Sequence, residues 1–369
     1  MKSNSFRIAV MPGEGIGIEV MKAALAVLEA VEARFGIACE PDEIPGGAHH
    51  YKETGRILPE NGMARAGGAD AMLFGAMGWP DIRFPDGTEI APQLDMRFEF
   101  GLYAGVRPIR AIPGVPQVLA DARAKDIDFV IIRESTEGMF ASRGKGEVID
   151  DSEARDTQVI TRRTTESLAH FSFELARRRQ RERRTPGCVT LVDKANVFRS
   201  FAFMRKVFYE VAAKHPDIEA RHHYIDAMAL DLVRRPWDFD VLPMENLFGD
   251  ILSDLGAGLV GGMGFAPSAD IGRDHGLFQP SHGTGPDIAG KGIANPTGMI
   301  LSTAMMLDWL GEKNGSEGAQ RGARAIERSV DKAFGERRVR SYDIGGRDGT
   351  EAIGRMIAET IRSGDADPE

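Results

Sequence analysis

Continuous apolar runs alternate along the chain with longer stretches of helical periodicity. The runs inside FRIAVMPGEG, ADAMLFGAMG, DFVIIRESTEG, GCVTLVDKAN and FDVLPMENLFGD do not alternate polar with apolar, which is the pattern of strands buried on both faces, and each ends in polar or charged residues. Between the runs, apolar positions recur three and four apart. Val20, Ala24, Val27, Leu28 and Val31 predict a helix over residues 18–35, and similar spacing predicts helices near 164–181, 198–214, 247–259, 296–310 and 318–334. Strands alternating with helices predict an α/β fold. There is no internal repeat and no long linker.

Composition narrows the class without naming an activity. A chain of 369 residues, 42% of them hydrophobic, is long enough for two modest domains. A formal net charge of -9 argues against a broad nucleic-acid or lipid-binding face, since both of those partners attract cations. Cys39 and Cys188 are too few for a disulfide framework or a thiolate metal site, which predicts a reducing, cytoplasmic setting. The start MKSNSFRIAVM lacks a signal-peptide core, and no segment reaches the about 20 apolar residues of a membrane span.

The chemistry gathers where the apolar runs end. In NLFGDILSDLG, Asp250 and Asp254 lie four apart, so on a helix both carboxylates share one face and repel unless a cation lies between them. Asp226, in HHYIDAMALDL, is a third acid placed after a strand-like run. Arg97, Arg107 and Arg133 each stand at the edge of an apolar segment, and guanidinium suits bidentate capture of carboxylate. Lys194, in LVDKANVF, is a candidate base if burial or cationic neighbours lower its pKa. Three acids, one lysine and three arginines point to a divalent cation and a substrate with at least two carboxylates. Two other features read more plainly. GEGIGIE lacks the third glycine of a dinucleotide fingerprint and is a weak signal, as easily a tight strand-to-helix turn. The run RRRQRERR from Arg177 reads as a solvated helix end.

VDKANVF, HHYIDAMALDLV, NLFGDILSDLGAG and HGTGPDIAGKGIANP, taken in order, resemble the successive signatures of the metal-dependent β-decarboxylating dehydrogenases, the isopropylmalate, isocitrate, homoisocitrate and D-malate/tartrate enzymes. The resemblance runs from about residue 6 to 362. It implies a two-domain fold other than the Rossmann fold, with a discontinuous cofactor domain (1–102 and 261–369) and an inserted substrate, metal and dimerisation domain (103–260). It implies oxidation of a substituted (R)-malate by NAD with Mg²⁺ or Mn²⁺, the C2 ketone then serving as electron sink for loss of CO₂. Carried over by position, Arg97, Arg107 and Arg133 clamp carboxylates, Asp226, Asp250 and Asp254 bind the metal, and Lys194 is the base. The loop SHGTGPDIAGKGIANP wraps the cofactor through His282, Gly283, Asp287, Ile288 and Asn295, with Asp287 favouring NAD over NADP. Family members are homodimers with shared sites, so Lys194 and Asp226 are expected to serve the neighbouring chain.

Departures from the family pattern carry their own expectations. GEGIGIE stands for the usual GDGIGPE, and Gln279 in QPSHG replaces the glutamate of EPVHG, removing a carboxylate on the nicotinamide side. Ile90 and Gln93, in GTEIAPQLDMR, are expected beside the C3 substituent, where an amide suits a small or hydroxylated group better than isopropyl. These features favour a D-malate/tartrate-like enzyme, with 3-isopropylmalate dehydrogenase as the alternative. A catalytically silent subunit on the same scaffold is a further alternative. Phe140 ends TEGMF where the family usually has tyrosine, an acid for the enolate, leaving water or Ser142 to supply that proton.

Overall fold

The computed structural model describes residues 4–184 and 186–366. Its strands are β1 Ser5–Gly13, β2 Ala38–Glu43, β3 Ala71–Ala76, β4 Ala104–Arg110, β5 Asp128–Glu134, β6 Glu147–Ile149, β7 Glu153–Arg155, β8 Cys188–Asp193, β9 Glu219–Tyr224, β10 Val241–Met244, β11 Pro267–Ile271 and β12 Gly276–Pro280. The helices are α1 Ile16–Phe35, α2 Ala48–Thr54, α3 Gly62–Gly67, α4 Pro92–Glu99, α5 Arg162–Arg183, α6 Arg199–Ala212, α7 Ile225–Arg234, α8 Asn246–Leu259, α9 Thr297–Asn314, α10 Glu317–Gly335 and α11 Thr350–Ser363. The α/β expectation is met. Among the described residues no helix is long and apolar enough to cross a membrane.

Two compact units divide the chain, one formed by Met1–Gly101, Ala111–Val118 and Val260–Glu369, the other by Leu102–Arg110 and Leu119–Leu259. In the first, strands lie in the order β2-β1-β3-β12-β11. The pairs β1–β2, β1–β3 and β3–β12 are parallel, and β11–β12 is an antiparallel hairpin. This is not the 3-2-1-4-5-6 order of a Rossmann sheet. Helix α9 is buried along most of its length, from Met299 and Ile300 to Leu307 and Leu310. Helix α11, which the sequence reading did not assign, buries Ile353, Ile357 and Ile361 at four-residue spacing. It lies close enough to α1 that a Cβ at Gly354 would crowd Ala23.

The second unit orders its strands β4-β5-β10-β8-β9, antiparallel at β4–β5 and parallel thereafter. Helix α8 packs on β5 and β4, and α5 packs on β5, β10 and β8. The arginine run at the end of α5 is not simply a solvated helix end, which corrects that expectation. Arg179 is largely buried and bonds Asp240 (2.7 Å) and Asp128 (3.0 Å), the acids at the starts of β10 and β5. Their paired charges compensate the desolvation of the guanidinium. Arg177 holds Asp217 and Glu174 in the same way. A two-stranded arm, β6–β7, turns at Asp150 and Asp151, both in the left-handed region, and leaves Val148 75% exposed.

Candidate active site

In the inserted unit, the chemistry converges on the first turns of α8. Arg133 at the end of β5 is buried; its Nε donates to Asn246 Oδ1 at 2.8 Å, and its Nη1 donates to Asp250 Oδ1. Gly249 makes this approach feasible, because a Cβ there would lie 2.6 Å from Arg133 Cβ. Asn246 also donates to the Glu137 carbonyl at 3.1 Å, tying α8 to the turn after β5. Phe140 sits in the 3₁₀ turn Met139–Ser142, half-buried, with the Arg133 guanidinium 4.9 Å from its ring centroid. Arg107 is buried on β4, the strand paired with β5.

Asp250 and Asp254 lie one helical turn apart. Asp254 is exposed, yet partial desolvation and then the charge of Asp250 push its carboxyl above the ordinary range, with Arg107 and Arg133 pulling the other way. Two repelling carboxylates at the end of an arginine-lined face make a hard oxygen donor set of the kind Mg²⁺ or Mn²⁺ accepts. Asp226, at the start of α7, is instead paired with Lys194 Nζ at 2.5 Å, and that ammonium holds its carboxyl below the ordinary range. Among the described residues no three His, Cys, Asp or Glu side chains form a group able to hold a metal. One chain therefore brings Asp250 and Asp254 together and leaves Asp226 with Lys194.

In the first unit, the glycine turn is organised by a residue the sequence reading did not single out. Glu14 is buried; one of its carboxylate oxygens accepts from His49 N at 2.6 Å and lies 2.9 Å from His49 Nδ1, and the other accepts from Gly78 N at 3.1 Å. Thr284 then closes the circuit: its hydroxyl donates to the Gly78 carbonyl (2.9 Å) and its carbonyl accepts from Ile16 N (2.8 Å). Gly13 and Gly15 have φ of 78° and 56°, and a Cβ at either would strike a backbone carbonyl, of Ala76 or of Thr284. A cavity of about 510 Å³ lies here, lined by Gly13, Glu14, Gly15, His49, Trp79 and Gly290 among others. The departure GEGIG was the available signal for Glu14; nothing local pointed to His49 or Trp79.

The expected cofactor loop contains free and committed residues. Gly283 and Asp287 are exposed and Ile288 is half-buried. His282 Nδ1 lies 2.9 Å from the Gly283 carbonyl and donates to it, burial pushes its pKa down, and its buried Nε2 has no partner, so the neutral ring keeps an unused acceptor. Asn295 is committed: it donates to Asp343 at 3.0 Å and accepts from Thr297 N and Oγ1, capping α9. These residues fit an adenosine group with donors to share.

Ile90 has no exposed surface and Gln93 is half-buried, with its Oε1 buried and without a partner. Two expectations change. Ser142 both donates to and accepts from Thr157 at 2.7 Å, so its hydroxyl is not free to supply a proton. Gln279 does not leave its surroundings without a carboxylate, because its Nε2 donates to buried Asp270 at 3.1 Å. Asp270 in turn pairs with Arg97 at 3.0 Å.

The family model for isocitrate/isopropylmalate dehydrogenase matches residues 7–358. The chain belongs to the isocitrate/isopropylmalate dehydrogenase family. It is 41% identical to the 3-isopropylmalate/3-methylmalate dehydrogenase of Methanocaldococcus jannaschii over 96% of this chain and 99% of that protein. It is 37% identical to the tartrate dehydrogenase/decarboxylase of Pseudomonas putida, over 98% and 99%. A solved isocitrate dehydrogenase from Methylococcus capsulatus superposes with a TM-score of 0.85 at 35% identity, covering 96% of this chain and 99% of that one. The α/β architecture is thus that of isocitrate/isopropylmalate dehydrogenases, and the protein is a decarboxylating hydroxyacid dehydrogenase. The relatives differ in the substrates they are named for, so family membership leaves the C3 substituent to the site.

One buried acid beside this site sets a pH dependence. Burial pushes the Glu134 carboxyl up to about 7, against the lowering effect of hydrogen bonds from Thr136 and Glu137. The folded form therefore keeps a proton that the unfolded chain releases above its ordinary value of 4.5. Stability from this group is complete below that value and is lost as pH rises towards 7, with a ceiling of about 3 kcal/mol. Melting temperatures at pH 5 and pH 8 should differ less in Glu134→Gln than in the native protein; equal differences would show that Glu134 is ionised at both.

Proposed function

We propose that this chain catalyses NAD-dependent, Mg²⁺- or Mn²⁺-dependent oxidation and decarboxylation of an (R)-malate-type 2-hydroxy diacid with a small or hydroxylated C3 group, D-malate or tartrate first and 3-isopropylmalate second. The observation that carries the substrate class is Gln93 Oε1, buried with no hydrogen-bond partner. A substrate hydroxyl donates to it, whereas an isopropyl group leaves it unpaired at a cost of about 1–3 kcal/mol. Arg107 and Arg133 supply the guanidinium groups for carboxylates, and Asp250 and Asp254 the oxygen donors for the cation. When bound, the cation supplies Lewis acidity and NAD accepts the hydride. Lys194 receives the proton of the 2-hydroxyl. Asp287, exposed in the cofactor loop, accepts from a free ribose 2′-hydroxyl and repels a 2′-phosphate.

We further propose a homodimer with shared sites in the cytoplasm. Support comes from the pairing of Asp226 with Lys194 apart from the α8 acids, and from apolar residues exposed on the inserted unit. Val197 is 60% exposed, Phe198 54%, Leu230 55% and Ile251 60%, a burden that a second copy relieves. The arm β6–β7 adds to the argument, since an isolated two-stranded hairpin is marginal without further packing.

Steady-state rates with NAD and Mn²⁺ on D-malate, tartrates and 3-isopropylmalate test the substrate assignment. The first two should exceed the third in kcat/KM; a tenfold preference for 3-isopropylmalate, about 1.4 kcal/mol, reverses the order. For the shared site, mixing inactive Lys194→Ala and Asp250→Ala proteins should restore activity, because some sites of a mixed dimer receive both native residues. No recovery after verified subunit exchange refutes sharing. Phe140 offers no proton to the enolate left after CO₂ departs, so Phe140→Tyr should raise kcat by about 10²-fold or more, with NADH and CO₂ still formed one to one. An unchanged kcat in the tyrosine variant shows that enolate protonation is not limiting.

A further inference from the structure

The hairpin β11–β12 and helix α4 hold a charge arrangement around Arg97, one of the three arginines expected to clamp carboxylates, that brings in two residues not yet given a role. Asp270 has no exposed surface, yet its Oδ2 accepts both from Arg97 Nη2 at 3.0 Å and from Gln279 Nε2 at 3.1 Å. All three residues are buried, so their charges count almost in full. With Gln279 the group holds one guanidinium and one carboxylate, and the amide adds a donor without adding charge. A glutamate at 279, the family's usual residue, would set a second carboxylate about 3 Å from the first, and one of the two would have to take a proton or swing away. The Arg97 Nε is buried and has no partner, so Asp270 engages one edge of the fork and another donor stays unused.

We infer that Asp270 and Gln279 are positioning residues for Arg97: the single carboxylate of the trio stands at position 270, the amide at 279 holds it in place, and the pair fixes the guanidinium for a substrate carboxylate. Arg97 is thereby rigid before any ligand arrives, and the ordering cost of a long side chain falls on folding rather than on binding. The amide at 279 and the acid at 270 act as one unit, so the carboxylate can be exchanged between the two positions but not doubled. The substrate role of Arg97 rests on the function proposed above; the coupling between 270 and 279 does not.

A double-mutant cycle separates these. Asp270→Asn and Gln279→Glu, singly and together, are compared by melting temperature without ligand and by kcat and KM for the best diacid of the substrate panel. Each single change should lower the melting temperature and raise the diacid KM at least tenfold, with kcat changed less. The double variant, which restores one carboxylate to the trio, should recover to within about threefold of the native KM. If Asp270→Asn fails to fold, Gln279→Glu and the double variant still decide the matter. Additive losses in the double variant overturn the exchange. Recovery of melting temperature with no movement of KM in any variant overturns the positioning role and leaves a purely structural cluster. A native protein inert towards every diacid is a failure of the functional reading, seen without any variant.

Discussion

Burial of arginine is the constraint around which both halves of this chemistry are built. A guanidinium cannot shed its charge, so taking it out of water obliges the fold to bring an anion or several acceptors to it. At Arg133 the obligation is met by Asn246 and Asp250 on α8. Helix α8 must therefore approach β5 closely, and Gly249 is the residue that lets it. The same contact leaves Asp254 one turn further along, facing the negative charge of Asp250. An acid pair that is unfavourable in isolation is what recommends that helix for the cation proposed above.

Arg97 shows the same logic in the other unit with a different solution. Its anion comes from inside a strand, where Asp270 sits among the fully buried residues of β11. A carboxylate in such a place needs more than one donor, and Gln279 provides the second. These buried arginines are thus fixed by the packing of β-strands and helices instead of by solvent-exposed loops, which keeps their geometry stiff.

The glycine turn follows a third variant of this rule. Glu14 is buried, and backbone N–H groups from two other segments converge on it, joined by the His49 ring. A longer acid than the family's usual aspartate reaches both segments while Gly13 and Gly15 allow the backbone to lie against neighbouring carbonyls. The turn is therefore a joint between segments distant in sequence, and the GEGIG motif marks only its nearest strand.

What the sequence alone determined is what depends on local order: the strand-helix alternation, the periodic helices, the Asp250 and Asp254 spacing, and signatures long enough to establish the family. A helix places i and i+4 on one face whatever surrounds it, so that pair was legible before any fold. Partnerships set by residues far apart in the chain were not. Whether Arg179 is solvated, and whether glutamine at 279 leaves a place without charge, depended on neighbours such as Asp240 and Asp270. Ser142 likewise reads as a free hydroxyl until Thr157 is found on both its donor and its acceptor side. Hydrogen-bond satisfaction and burial belong to three-dimensional neighbourhoods, and β11 conceals a buried acid in a stretch whose pattern announces neither strand nor site. Tertiary structure decided those points because each depends on which chemical group fills the space a few ångströms away.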